Sequence, residues 1–166
     1  MARKTVLVTG ASRGNEKATA LRCLEDGLEV IGLSTTARDD LPWPHYGLDL
    51  GNSRAKAQLQ DIIMKYQPCR FVGNAGILIS GRLEDVGSAD FDRLMRINLF
   101  SLMETANLLL PVWKDENFGR VVLIGSRAAL GKENRVLYGA SKAGVTGLGR
   151  TLALELAPHQ VTVNVI

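Results

Sequence analysis

The stretch TVLVTGASRG, residues 5–14, decides the fold of this chain. Thr5–Thr9 is a short, β-branched apolar run of the kind found in strands that are buried on both faces. Gly10 and Gly14 follow at a spacing that allows a tight turn, and residues 17–26 then have helical periodicity. The stretch therefore predicts a strand, a glycine-rich turn and a helix in immediate succession.

The same alternation of strands and helices continues along the rest of the chain. The sequence predicts further strands at residues 29–33, 46–50, 70–73, 120–125 and 161–166, and helices at 53–66, 91–113 and 138–157, the first of these capped by Ser53. Such alternation indicates βαβ units and a parallel sheet. We therefore predict one α/β domain over residues 1–166, a Rossmann-like doubly wound parallel sheet with helices on both faces.

Composition and charge exclude several classes of protein. With 166 residues, 46% hydrophobic residues and a net charge of +3, the chain is an ordinary globular domain rather than a disordered or disulfide-rich one. Basic residues do not cluster, and no apolar run approaches the roughly 20 residues of a membrane span, so we expect neither a nucleic-acid nor a membrane partner. Cys23 and Cys69 form no metal or redox motif, and we expect a cytoplasmic protein.

The glycine-rich turn is a candidate phosphate site. Backbone N–H groups at the start of a helix that follows a strand can hold a pyrophosphate, and Gly10, Ser12, Arg13 and Gly14 occupy that turn. The competing interpretation is a glycine-rich connection that binds nothing. The second strand ends at Ser34 without the carboxylate that holds the 2′-hydroxyl of NAD. Arg13, with Arg38 farther off, is suited to a 2′-phosphate instead, which favours NADP(H) over NAD(H).

A phenol and an ammonium group form the candidate catalytic site. Tyr138 and Lys142 are four residues apart in a predicted helix and therefore lie on one face. Ser126 directly follows the predicted strand at 120–125, and ligands bind at the carboxyl ends of parallel strands. A free tyrosine has a pKa of about 10, and a neighbouring ammonium lowers it toward the pH at which protons are exchanged. A surface Tyr–Lys pair and a turn serine are the alternatives.

Together these motifs resemble those of the short-chain dehydrogenase/reductase family, and the resemblance runs from Thr5 to Ile166. It implies reduction of a carbonyl to an alcohol, or the reverse, on a small-molecule substrate, with no metal. It implies a catalytic set in which Ser126 stabilises developing charge on the substrate oxygen, Lys142 also holds the nicotinamide ribose and Asn98 supports a proton relay. It also implies that Asn15, Ser34, Asp49 and Leu50, the segment Asn74, Ala75 and Gly76, and Tyr138 and Lys142 bind the cofactor.

The sequence departs from the family's TGxxxGxG pattern at its third glycine, where this chain has Glu16. A carboxylate near a helix N-terminus is favourable by roughly 0.3–1 kcal/mol, but it repels a pyrophosphate. The departure leaves open two alternatives to an active enzyme: a non-catalytic sensor or structural protein with the same fold, and a partial enzyme with impaired cofactor binding.

Two further expectations concern the ends and surfaces of the domain. The chain stops inside an apolar strand, so we expect a truncated domain that lacks the final strand and substrate lid of the family, or else a naturally short one. The apolar stripe of residues 91–113 is too broad for one packed face. With the small-residue helix at 138–157 it predicts a homo-oligomer, a dimer or a tetramer. We interpret His45 and His159 as surface residues and both tryptophans as packing groups.

Overall fold

The computed structural model describes residues 3–166, which form six parallel strands and five α-helices within the described part of the chain. The strands are β1 (Thr5–Thr9), β2 (Glu29–Ser34), β3 (His45–Gly47), β4 (Arg70–Gly73), β5 (Gly119–Leu123) and β6 (Val161–Val165). The helices are α1 (Gly14–Glu25), α2 (Ala55–Tyr66), α3 (Ser88–Met95), α4 (Ser101–Glu116) and α5 (Val136–Leu156). The strand order is β3-β2-β1-β4-β5-β6, and every pairing is parallel. The predicted doubly wound α/β architecture is confirmed.

The turn after β1 forms because two glycines adopt a conformation that other residues avoid. Gly10 and Gly14 have φ values of +84° and +64°, in the left-handed region that costs glycine nothing. The N–H of Gly10 donates to the carbonyl oxygen of Leu33 over 2.7 Å, which ties the turn to the end of β2. The first turn of α1 therefore starts at the carboxyl edge of the sheet.

The helices bury both faces of the sheet, with a different core on each. One core contains side chains of α2, α4 and α5 packed on the sheet, including Phe71, Leu109 and Trp113. The other is smaller and holds Val8, Ala20 of α1 and Trp43. Both tryptophans are packing groups, as the sequence predicts. The site described below lies where the strands end, between these two layers.

The structure corrects the predicted helix at residues 91–113. It begins earlier, at Ser88, and its residues Arg96–Phe100 form a π-helical turn that separates α3 from α4. Periodicity predicts one continuous helix because a single inserted residue shifts the apolar stripe without removing it. Pro111 lies inside α4, about three turns after the π-helical turn, and α4 continues to Glu116.

Smaller corrections concern the ends of elements. Ser53 does not cap α2: the helix begins at Ala55, and the flanking Arg54 makes no capping hydrogen bond with its side chain. The third strand is His45–Gly47 rather than 46–50, and the fifth is Gly119–Leu123 rather than 120–125. None of the helices in residues 3–166 has the length and apolar character needed to cross a bilayer.

Candidate active site

The ends of β1 and β4 are joined by the buried hydroxyl of Thr9. Its oxygen accepts hydrogen bonds from the backbone N–H groups of Asn74 and Ala75, both over 3.0 Å. Because β1 and β4 are neighbouring parallel strands, this contact holds the segment after β4 beside the glycine turn after β1. Thr9 thus gives the candidate cofactor-binding segment 74–76 a fixed place at the edge of the sheet.

Asn98 connects that segment to helix α5. Its side chain is fully buried in the π-helical turn and makes two hydrogen bonds with Ile77: Oδ1 accepts from the backbone N–H over 2.8 Å, and Nδ2 donates to the carbonyl oxygen over 2.9 Å. Nδ2 also lies 3.2 Å from the hydroxyl of Ser141, which donates to the carbonyl oxygen of Tyr138. One amide therefore bridges the loop after β4 and the start of α5.

Lys142 is buried, with 4% of its surface exposed, and its ammonium group points at the end of β5. Nζ donates to the carbonyl oxygen of Ile124 over 2.6 Å and lies 5.9 Å from the centre of the Tyr138 ring. Desolvation by burial lowers the pKa of Lys142. The ammonium is thus held next to the phenol ring by a strand end rather than by a carboxylate.

Ser126 lies two residues beyond Ile124, on the same segment. Its Oγ accepts from the N–H of Ala128 over 3.1 Å and so begins the short 3₁₀ helix Arg127–Leu130. Among residues 3–166 no acceptor receives the proton of this hydroxyl, and the side chain is half-buried. Contacts through Ser141 and Ile124 thus place Asn98, Tyr138 and Lys142 around the ends of β4 and β5, and Ser126 lies two residues beyond the carbonyl group that Lys142 binds.

A cavity of about 590 Å³ lies beside this cluster, along the carboxyl ends of β1, β2 and β4. Nine of the predicted cofactor-binding residues line it: Gly10, Ser12, Arg13, Ser34, Asp49, Leu50, Asn74, Ala75 and Gly76. Gly14 and Asn15, and likewise Tyr138 and Lys142, do not line it. Gly76 joins the two regions, since a Cβ at this position would lie 3.2 Å from Oδ1 of Asn98.

Glu16 folds back over the glycine turn and lines the cavity. Its Oε1 accepts a hydrogen bond from Nδ2 of Asn74, and its Oε2 lies 2.9 Å from where a Cβ of Gly14 would be. The carboxylate therefore sits against the glycine turn that the sequence assigns to a pyrophosphate. Among residues 3–166 no Lys, Arg or His side chain forms an ion pair with Glu16.

The two candidate 2′-phosphate residues differ in their surroundings. Arg38 pairs with both carboxylate oxygens of Asp40, and this hydrogen-bonded pair lowers the pKa of Asp40. Arg13 is exposed, flanks the start of α1, and forms no ion pair with any residue of the described chain. Of the two arginines that line the cavity, Arg13 is thus the one without a carboxylate partner among residues 3–166, whereas the charge of Arg38 is offset by Asp40.

The donor set fits an adenine dinucleotide along most of the cavity. Glycine residues, which lack a Cβ, line the turn, and Arg13 and Arg38 line the same cavity. The carboxylate of Glu16 is the one feature of the described cavity that opposes a pyrophosphate. In residues 3–166 no cluster of three or more His, Cys, Asp or Glu side chains could hold a metal ion.

A second, apolar groove of about 810 Å³ runs between α3, the π-helical turn, α4 and α5. Phe91, Leu99, Phe100, Met103 and Leu148 line it, and Phe91 and Met103 are 47% and 44% exposed. These residues come from the two helices that the sequence assigns to an interface between subunits.

Three supporting residues were missed by the sequence analysis: Thr9, Ser141 and His45. Thr9 and Ser141 are buried polar residues, and a buried hydroxyl needs a partner, so their positions at the end of a strand and inside an apolar helix were available signals. His45 is not a free surface residue, because both of its ring nitrogens are hydrogen-bonded.

The amino-acid sequence of this chain also matches a family of known proteins. A family model described as short chain dehydrogenase matches residues 46–166. Over 99% of its length the chain is 32% identical to the 3-oxoacyl-[acyl-carrier-protein] reductase FabG of Buchnera aphidicola subsp. Schizaphis graminum, and it spans 72% of that reductase.

Two solved structures show the same fold. The ligand-free aldohexose dehydrogenase of Thermoplasma acidophilum superposes with a TM-score of 0.90 at 31% identity over 98% of this chain, which spans 65% of that enzyme. A 4-hydroxyisoleucine dehydrogenase complexed with NADH gives 0.91 at 25% identity, over 98% of this chain and 74% of that one.

Proposed function

The chain belongs to the short-chain dehydrogenase family, whose members are NAD(P)-dependent oxidoreductases, and from this premise we propose that it interconverts a carbonyl compound and its alcohol. The observation that carries the proposal is the buried ammonium of Lys142 beside the Tyr138 ring, at a strand end that adjoins the dinucleotide-sized cavity. In a surface Tyr–Lys pair the ammonium group would be exposed to water, whereas that of Lys142 is buried. The substrate class follows the relatives, several of which are named for 3-oxoacyl reduction.

Tyr138 is the proton donor in this proposal. A carbonyl that is reduced by hydride becomes an alkoxide, which takes a proton from the phenol. The Lys142 ammonium stabilises the phenolate that remains, because an opposite charge nearby favours the ionised form. Its hydrogen bond to the carbonyl oxygen of Ile124 holds the ammonium in place while leaving two N–H donors for a ribose or the phenol.

Ser126 and Asn98 have supporting roles. The hydroxyl of Ser126 donates to the substrate oxygen as negative charge develops on it, which stabilises the transition state more than the ground state. Asn98 fixes the loop after β4 against α5 through Ile77 and Ser141, and its π-helical turn supports a relay that returns protons to Tyr138. A bound nicotinamide dinucleotide supplies the hydride.

We assign the cofactor as NADP(H) in preference to NAD(H). The support is Arg13, which faces the cavity without a carboxylate partner among residues 3–166, together with the lack of an acidic residue at the end of β2. Asp49 is exposed, lines the cavity and follows Leu48, whose N–H donates to the carbonyl oxygen of Ser34, and we assign it to the adenine of the cofactor.

A second candidate function rests on Glu16. Its carboxylate lies in the cavity and binds Asn74, so a chain that never turns over could retain the fold as a non-catalytic sensor or structural subunit. The two candidates differ in one measurable property, because the enzyme must bind NADPH and the alternative need not.

The test is a pair of measurements on the purified chain. Energy transfer from tryptophan to bound NADPH reports binding, and loss of NADPH absorbance with a 3-oxoacyl thioester reports turnover. Tyr138→Phe should abolish turnover and leave NADPH affinity within about twofold. Tyr66→Phe is the matched control, since its hydroxyl binds Tyr46 outside the site. Parallel loss of affinity and turnover in Tyr138→Phe would refute the assigned role, and absence of binding at millimolar NADPH would favour the non-catalytic candidate.

We also propose that the chain forms homo-oligomers, dimers that pair into a homotetramer, through the apolar groove. The exposed aromatic and methionine side chains on α3, the π-helical turn and α4 face α5 across the groove, and a two-fold pairing of these helices would bury them. A monomeric mass by analytical ultracentrifugation at micromolar concentration would refute this proposal.

A further inference from the structure

His45 lies in β3 beside the end of β2, and both of its ring nitrogens are bound to the segment Ser34–Arg38. Nδ1 accepts a hydrogen bond from the backbone N–H of Arg38 over 3.1 Å. Nε2 lies 3.2 Å from Oγ of Ser34, and that hydroxyl lies 2.9 Å from the carbonyl oxygen of Thr36. The ring thus joins both ends of a five-residue segment that lines the cavity at Ser34, Thr35, Thr36 and Arg38.

These contacts determine which tautomer the ring adopts. A backbone N–H can only donate, so Nδ1 must carry its lone pair toward Arg38. A neutral ring then carries its proton on Nε2 and donates to Ser34, whose own proton is directed at Thr36. In this series of hydrogen bonds every donor meets an acceptor, and only the neutral ring satisfies all three contacts.

We propose that His45 is a positioning residue for the nucleotide-selecting end of the cavity, and that its neutral ring holds residues 34–38 in the shape that distinguishes a 2′-phosphate from a 2′-hydroxyl. The proposal rests on the proposed function only for the identity of the ligand. The ring itself does not line the cavity and acts through the backbone of Arg38 and the hydroxyl of Ser34.

Protonation of the ring would release the segment. A proton on Nδ1 faces the N–H of Arg38, so two donors meet and that hydrogen bond is lost. Burial is the larger of the forces that lower the pKa of His45, and the Arg38 guanidinium adds to it, while Asp40 opposes both. The neutral, holding form is therefore present above the pKa of the ring, and the segment loosens as the pH falls through it.

The first experiment examines the ring and the segment without any ligand. In the NMR spectrum of the whole chain, His45 should be the Nε2–H tautomer at pH 7.5 and should titrate below the usual value of about 6.5. Hydrogen-exchange protection of the Arg38 amide should fall at least fivefold between pH 7.5 and a pH one unit below the titration midpoint that the NMR spectrum gives for His45. A ring that is protonated on Nδ1 at pH 7.5, or Arg38 protection that is independent of pH, would overturn the proposal.

The second experiment uses nucleotide fragments that lack nicotinamide, namely 2′,5′-ADP and 5′-ADP. The parent should prefer 2′,5′-ADP at pH 8, and His45→Phe should reduce the ratio of the two affinities about fivefold, the factor that a hydrogen bond of about 1 kcal/mol represents. His45→Asn retains an acceptor at the position of Nδ1 and does not titrate. It should keep Arg38 protected at both pH values, and its ratio records the titration of the phosphate alone.

The other histidine of the chain is the matched control. His159 lies in the short 3₁₀ helix between α5 and β6, and His159→Asn should leave the affinity ratio and Arg38 protection unchanged. An unchanged ratio in His45→Phe with unchanged protection would refute the positioning role. If neither fragment binds the parent at millimolar concentration, the proposed cofactor site fails, while the ring tautomer and Arg38 exchange still decide whether His45 holds the segment.

Discussion

Replacing Glu16 by glycine should tighten the binding of NADPH. The carboxylate lines the nucleotide cavity and is held there by Asn74, against the glycine turn. Two unit charges about 5 Å apart repel by about 0.8 kcal/mol in water and by about 3.3 kcal/mol at an effective dielectric constant of about 20. At about 1.4 kcal/mol per factor of ten, these limits correspond to affinity gains of about fourfold and about two hundredfold.

The same substitution should destabilise the protein. Glu16 lies in the first turn of α1, where its charge interacts favourably with the helix dipole by roughly 0.3–1 kcal/mol, and glycine in a helix costs roughly 0.5–1 kcal/mol more. We therefore expect a free energy of unfolding that is lower by about 1–2 kcal/mol together with tighter cofactor binding. These opposite effects on binding and stability separate a local electrostatic effect from a general change in folding.

Two further variants identify which property of Glu16 matters. Glu16→Gln removes the charge but keeps the size and an acceptor for Asn74, so an equal gain in both variants would assign the effect to charge, and a gain in glycine alone to bulk. Glu25→Gln, at the exposed end of the same helix, is the matched control. Binding is measured by energy transfer from tryptophan to NADPH at 20 mM and 500 mM salt. If both Glu16 variants bind no more tightly than the parent, the repulsion argument is wrong.

Three other outcomes follow from contacts described above. Lys142→Met should raise the melting temperature at pH 7 while abolishing turnover. The pKa of Lys142 in the folded chain lies below the unfolded value of about 10.4, so the unfolded chain binds more protons at pH values between the two. The free energy of unfolding of the parent should therefore rise with pH across that alkaline range, and that of the variant should not. Asn98→Ala should lower the free energy of unfolding by about 2–4 kcal/mol in urea titrations, since both backbone groups of Ile77 lose a buried partner. Met103→Glu should yield a folded monomer by ultracentrifugation, whereas Met64→Glu on the exposed face of α2 should leave the assembly intact.

The sequence predicts the sheet well because the parallel strands of this chain are short, mostly apolar and, except between β2 and β3, separated by helices. Thr5–Thr9 is buried at every position and matches the prediction residue for residue. The π-helical turn at Arg96–Phe100 could not be predicted in this way, because its cause is tertiary: Asn98 is held by Ile77 and Ser141, which lie 21 and 43 residues away. Local periodicity contains no information about those partners.

For the candidate site too, the sequence predicts what depends on local pattern and not what depends on tertiary contacts. Residue types and order were sufficient to select Ser126, Tyr138 and Lys142 as catalytic candidates, since each one follows a strand or lies in a helix that the pattern itself identifies, whereas Asn98 was selected only by the family resemblance. The orientation of side chains was beyond the sequence, as Arg38 illustrates: its guanidinium pairs with Asp40, two residues away, rather than remaining free for a phosphate. The opposite holds for Glu16, for which the sequence predicted interference and the structure puts the carboxylate inside the cavity.

The π-helical turn has one further consequence, which concerns protein concentration. Asn98 faces the site from this turn, while its neighbours Leu99 and Phe100 line the apolar groove on the other side. A second copy seated in the groove, as proposed above, would therefore also immobilise the π-helical turn that holds Asn98, the residue to which we assign the proposed proton relay. If the proposed dimer forms, specific activity should then decline as the protein is diluted through the dissociation constant of that dimer.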